Sequence, residues 1–165
     1  MYNQVDSNKQ KSVFLLLLAT ALVLVLGYVF DRAYRGNGYG GLFIGIIISL
    51  ITTSVSYFQG DKIALAVSGA QQISKEENRY VYNMVENLCI TAGLPVPKVY
   101  IMNDPSINAF ATGRKPELAS IAITTGAIEK LKNEELEGVI AHELSHVQNY
   151  DIRFMMLVAV LVGSI

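Results

Sequence analysis

The chain has 165 residues, 52% of them hydrophobic and only 16% charged, with a net charge of −1 and a mean hydropathy of +0.36. Charged residues make up about 25% of an ordinary globular chain, and no charge occurs between Lys11 and Asp31 or between Arg35 and Asp61. This pattern excludes disorder, a collagen-like repeat and a free cytosolic enzyme. With no basic block, nothing attracts nucleic acid, and the single cysteine, Cys89, cannot build a disulfide framework.

Val13 to Phe30 is an uncharged run of 18 residues, which as a helix crosses most of a hydrocarbon layer about 30 Å thick. A signal peptide competes, because Lys9 and Lys11 precede the run and Ala19-Thr20-Ala21 resembles a cleavage site. The apolar run extends well past Ala21, however, which favours an uncleaved membrane helix. Leu42 to Phe58 is the second predicted span. Its Ser49, Thr52, Thr53, Ser54 and Ser56 suit close helix packing, since small hydroxyl residues bond their own backbone. Arg32, Arg35, Gly36, Gly38, Gly40 and Gly41 predict a short turn, so the pair reads as a hairpin. Lys9, Lys11, Lys62 and Lys75 flank the hairpin on one side against Arg32 and Arg35 on the other, which points the polar domain to the cytoplasm. A third apolar run, Phe154 to Ile165, is too short to span. It reads as a partial membrane helix or a packed terminal one, and suggests a fragment.

The polar domain is expected over 61–151. Ser74 and Glu77 fit a capping box, and Tyr80, Val81, Met84, Val85, Leu88 and Cys89 recur at helical spacing up to Gly93, a helix-ending residue. Lys98 to Met102 alternates like a strand. Asn108 to Thr112 and Ser120 to Thr124 are further extended candidates, parted by a polar turn at 113–117. Asn133 is the expected cap of a last helix, whose apolar stripe is Leu136, Val139, Ile140, Leu144 and Val147.

That helix carries His142-Glu143-Leu144-Ser145-His146. Positions i and i+4 share a helix face, so both imidazoles can ligate one Zn²⁺, which leaves further coordination positions open. Glu143 can reach a water on the metal without ligating, take its proton and pass it to a leaving amine. Chance placement of the two histidines and an intervening glutamate gives this pattern about once in 1,500 arrangements. A hydrogen-bonded histidine pair is the plainer alternative. Asp151 suits either of two roles: hydrogen-bond partner of a ligand imidazole or helix-end charge, the latter being the weightier reading. Five helical residues would turn it about 140° from His146.

The chain resembles the HtpX-type membrane zinc metallopeptidases, relatives of the prenyl-protein proteases. The resemblance rests on the zinc motif, on Asp61 to Leu65, Ala92 to Tyr100 and Asn108 to Arg114, and on Glu134 to Val139 leading into the motif. It implies His142 and His146 as ligands of one Zn²⁺ and Glu143 as the general base. It also implies that Asn108, Ala109, Phe110 and Ala111 form an edge strand that receives an extended substrate; an ordinary turn before a strand is the alternative there. The family's third ligand is a glutamate on a later helix, and no glutamate follows Glu143, so an N-terminal fragment is expected. The implied activity is proteolysis of misfolded or damaged membrane proteins at the cell (inner or plasma) membrane by a multi-pass protein facing the cytoplasm. A catalytically incomplete chain or a membrane scaffold is the alternative. The expected fold is α+β: two membrane helices (1–60), a helix-rich zincin-like domain with a small sheet (61–151), and the start of a third membrane helix (152–165).

Overall fold

Uninterrupted apolar sequence next to water-free surroundings favours helix, the one local structure that satisfies every backbone group within its own segment. In the computed structural model, which describes residues 2–34 and 39–163, α1 (Tyr2–Tyr34) and α2 (Gly40–Val67) form an antiparallel pair. Both are long and apolar enough to cross a membrane. Their backbones meet at glycines: a Cβ on Gly27 would lie 2.5 Å from the Gly41 carbonyl oxygen, and one on Gly41 equally close to that of Gly27. Ser49 is buried, and the Thr52 hydroxyl donates to the Ile48 carbonyl. Three residues assigned to the turn lie in the helices instead. Arg32 lies in α1 and Gly40 and Gly41 lie in α2; Arg35, Gly36 and Gly38 fall outside the described residues. Nor does α2 stop at the charged Asp61: it continues through Asp61 to Leu65 as far as Val67.

The polar region is a mixed four-stranded sheet with helices on both faces. Its strands are β1 (Gln71–Gln72), β2 (Lys98–Met102), β3 (Ala109–Thr112) and β4 (Ser120–Thr124), in the order β1-β2-β4-β3. β2 and β4 are parallel, and the other two pairings are antiparallel. Alternate side chains point to opposite faces. Val99, Ile121 and Ile123 therefore join α3 (Arg79–Ala92) and α5 (Asn133–Gln148) in the main core with Val81, Leu136 and Ile140. Met102 and Ala122, on the other face, meet Leu65 at the end of α2. The last membrane-helix turns are thereby built into the sheet domain.

Local signals were displaced twice. Glu77 accepts the Ser74 N–H at 2.6 Å, but this closes a turn. The helix begins later, with Asn78 as its cap, accepting from the Val81 N–H. Likewise α5 is capped at Lys132, whose N–H meets Glu135 at 2.8 Å. Asn133 is the first helical residue, and its side chain accepts from the Tyr80 hydroxyl instead. Gly93 does end α3, at φ 67°, with the Leu94 N–H returning to the Cys89 carbonyl. The short α4 (Thr125–Lys130) follows β4 directly, and the third apolar run belongs to α6 (Asp151–Gly163). α6 packs on α2 where Gly60 leaves room for Met156.

Candidate active site

α5 has one face in the core, carrying Leu136, Ile140, Leu144 and Val147. The buried stripe fixes the rotation of the helix, and with it the direction of the residues between. His142 is exposed, Glu143 and His146 half-buried. The two Nε2 atoms lie 3.3 Å apart, with the rings 4.8 Å apart and nearly perpendicular. Two nitrogens each about 2.05 Å from a tetrahedral ion stand about 3.3 Å apart, so the pair has the spacing of two ligands on one zinc-sized ion. Among the described residues, no group of three His, Cys, Asp or Glu side chains converges; the structure brings together two donors.

Asp151 stands at a helix end and also beside an imidazole. It opens α6, and its Oδ2 lies 3.1 Å from His146 Nδ1. The estimate of a 140° turn away from His146 fails because the helix does not continue: Tyr150 adopts φ 60° and redirects the chain. An ionised carboxylate only accepts, so this contact suits the imidazole tautomer that carries its proton on Nδ1 and turns an Nε2 lone pair toward His142.

Glu143 reaches the edge of the sheet, where its Oε2 accepts the Ala111 N–H at 3.2 Å. Among the described residues, the one strand that β3 pairs with is β4. The Asn108 carbonyl accepts from the Thr124 N–H, and in an antiparallel ladder such pairs alternate. Phe110 and Thr112 therefore turn their backbone toward β4, and Ala109 and Ala111 turn theirs outward. Of the four residues anticipated for the substrate strand, Ala109 and Ala111 turn their backbone away from β4, and the Ala111 N–H is taken by Glu143. Asn108 sits just before β3, and Phe110 projects from the sheet into a groove. That groove, about 740 Å³, lies between α2, β3 and α6 and is lined by Ile51, Val55, Ile63, Phe110, Thr112 and Met156 among others.

Sequence reasoning missed two contributors. Thr124 fastens the start of β3, accepting the Asn108 N–H at 3.0 Å; a threonine ahead of a helix start was the available sign. Asn8 touches Asp151 and Asn149, and nothing in its sequence surroundings marks it.

The sequence model of peptidase family M48 matches residues 75–165. A protease HtpX homolog from Streptococcus thermophilus (strain ATCC BAA-250 / LMG 18311) is 38% identical over 165 residues, which is all of this chain and 55% of that protein. One from Dictyoglomus turgidum is 42% identical over 164 residues, 99% of this chain and 54% of that protein. This chain thus spans about half the length of the curated relatives it matches. Among solved structures, that of S. mikatae Ste24p is similar over 99% of this chain and 39% of its own, at TM-score 0.51 and 17% identity, a likeness of fold. The family model covers more than half of the chain and includes the His142–His146 segment: the chain belongs to peptidase family M48.

Proposed function

We propose that this chain is the catalytic-motif half of a membrane-bound zinc endopeptidase that cleaves misfolded or damaged membrane proteins. The carrying observation is the convergence of His142 Nε2 and His146 Nε2 beside a glutamate that already contacts an open strand edge. His142 and His146 would hold the metal, which when bound supplies Lewis acidity toward a carbonyl oxygen and acidifies water. The chain's own residues do the rest. The outward N–H and C=O groups of Ala109 and the carbonyl of Ala111 pair with an extended peptide, as exposed strand edges do, while the Ala111 N–H stays with Glu143. This requires local unfolding of the substrate and suits damaged proteins. Glu143, anchored one bond from that strand, accepts the proton of the attacking water and returns it to the leaving amine. Asp151 keeps the His146 lone pair directed outward. The two membrane-length helices favour a multi-pass protein in the cell membrane, and the excess of lysines on the flanks of the hairpin favours this site on the cytoplasmic side.

The test uses the full-length protein in detergent, with metal content and cleavage of an unfolded membrane protein measured on the same samples. Glu143→Gln is expected to retain zinc and lose about 10²–10⁴-fold in rate, the usual worth of a positioned general base. His146→Ala is expected to lose zinc. Undiminished cleavage by Glu143→Gln, or zinc indifferent to His146→Ala, overturns the reading and leaves a membrane scaffold that keeps the fold.

A further inference from the structure

Glu143 and the two histidines all stand on α5, yet Asn8 of α1 reaches the residues behind them. Asp151 divides its carboxylate: Oδ2 faces His146 Nδ1 at 3.1 Å, while Oδ1 accepts the side-chain N–H of Asn8. The same Asn8 amide lies 3.2 Å from the Asn149 carbonyl. Lys9 places its ammonium 4.8 Å from the centre of the Tyr150 ring, and the buried Ser12 hydroxyl donates to the Asn8 carbonyl at 2.9 Å. Asn8 and Lys9, neighbours on one turn of α1, thus both address one three-residue connection, Asn149-Tyr150-Asp151. In that connection Tyr150 holds a left-handed backbone angle, which non-glycine residues keep only where surroundings impose it. A helix-end aspartate acting through charge alone needs no such arrangement, because any rotamer near the first turn of α6 serves. Here each oxygen has an assigned partner, so the carboxylate is fixed in rotation as well as position.

We propose that Asn8 is a positioning residue for His146: by holding Asp151, it keeps the proton of the imidazole on Nδ1 and aims Nε2 at the point shared with His142. The segment of α1 just ahead of its apolar run is then part of the metal site. The inference rests on the metallopeptidase reading for its purpose, while its physical content is the state of one imidazole.

That state can be read without catalysis. Metal-free full-length protein labelled with ¹⁵N-histidine reports the His146 tautomer in long-range proton–nitrogen spectra, at a pH where the imidazole is neutral. Wild-type protein is expected to show the proton on Nδ1. Asn8→Ala and the similarly sized Asn8→Leu, neither of which can donate to a carboxylate, should each move a substantial share to Nε2. Either one suffices if the other loses its helical circular dichroism. Zinc affinity, measured against a chromophoric chelator, should fall about 3–10-fold, short of the 10–100-fold typical of losing a ligand's direct partner. Lys9→Ala, which disturbs the same connection without touching Asp151, should leave the tautomer in place. An unchanged tautomer in a folded Asn8 variant, or an equal change in Lys9→Ala, overturns the proposal. If wild-type protein binds no zinc through His142 and His146, the peptidase reading fails, and the spectra still decide the role of Asn8.

Discussion

Thr124 offers a sharp test of how the strand edge is held. Its side chain is buried, and its hydroxyl accepts the N–H of Asn108 at 3.0 Å and that of Ala127 at 3.2 Å, while donating to the Ser106 carbonyl at 2.7 Å. One oxygen therefore caps α4 and pins the entry to β3. Thr124→Val keeps the shape and removes these bonds together with the hydroxyl's donation to the Asn108 carbonyl at 2.9 Å. The Ala127 N–H is fully buried and is left without a partner, which costs about 1–3 kcal/mol. The Asn108 N–H is half-buried and regains part of its loss from water, so the total should be about 2–4 kcal/mol. Thr124→Ser keeps the hydroxyl and removes one buried methyl, for about 1 kcal/mol. Chemical denaturation in detergent, followed by circular dichroism, separates the two. The expected order is wild type, then serine, then valine, with the valine variant also binding peptide more weakly because β3 loses its anchor. A valine variant as stable as the serine variant would refute the idea that the hydroxyl, rather than packing, holds this corner.

Three further outcomes follow from the geometry. Gly27→Val should loosen the membrane hairpin by about 1–3 kcal/mol, because the new Cβ meets backbone at 2.5 Å and no side chain can move aside; a thermal midpoint in detergent equal to that of wild type would contradict this. Gly138→Ala, in the interior of α5 with open space around it, should instead stabilise by about 0.4–1 kcal/mol, seen as a rise in the same midpoint. Burial pushes the Cys89 thiol up to about 11 from an ordinary 9.0. The fold thus favours the neutral form: the contribution is complete below pH 9.0 and is lost as pH rises through about 11. Native protein at pH 8 should resist maleimide while denatured protein reacts quickly, and equal rates would count against a buried thiol.

What the sequence disclosed, and what it hid, divides along physical lines. The uncharged runs announced α1 and α2, because a membrane-length apolar segment has few other fates. Val99, Ile121 and Ile123 announced their strands through alternation, and Gly93 its helix end through the backbone freedom the position needs. The His142–His146 spacing displayed the candidate site, since a four-residue step on a helix carries its own geometry. Signals that compete locally were less decisive. Ser74–Glu77 and Asn78 lie within one turn of each other, and Asn78 took the cap; Asn133 lost its capping role to a distant tyrosine hydroxyl. α4 is too short for a periodic pattern, and β1 has two residues. The parallel pairing of β2 with β4, the bond from Glu143 to Ala111, and the meeting of Asn8 with Asp151 are long-range events that no window of sequence contains. Asp151 itself was misdirected by a helical extrapolation that a single left-handed residue, Tyr150, cancels.

The unbroken passage of α2 into the sheet domain has a mechanical consequence. Its 28 residues measure about 42 Å, some 12 Å more than a hydrocarbon layer needs. Its far end is clamped by Leu65 against Met102 and Ala122. There is no slack tether along this path: the strand edge stands at a set height above the lipid. A helix answers a thicker or thinner bilayer by tilting, and here such a tilt would swing the strand and the histidines together as one lever.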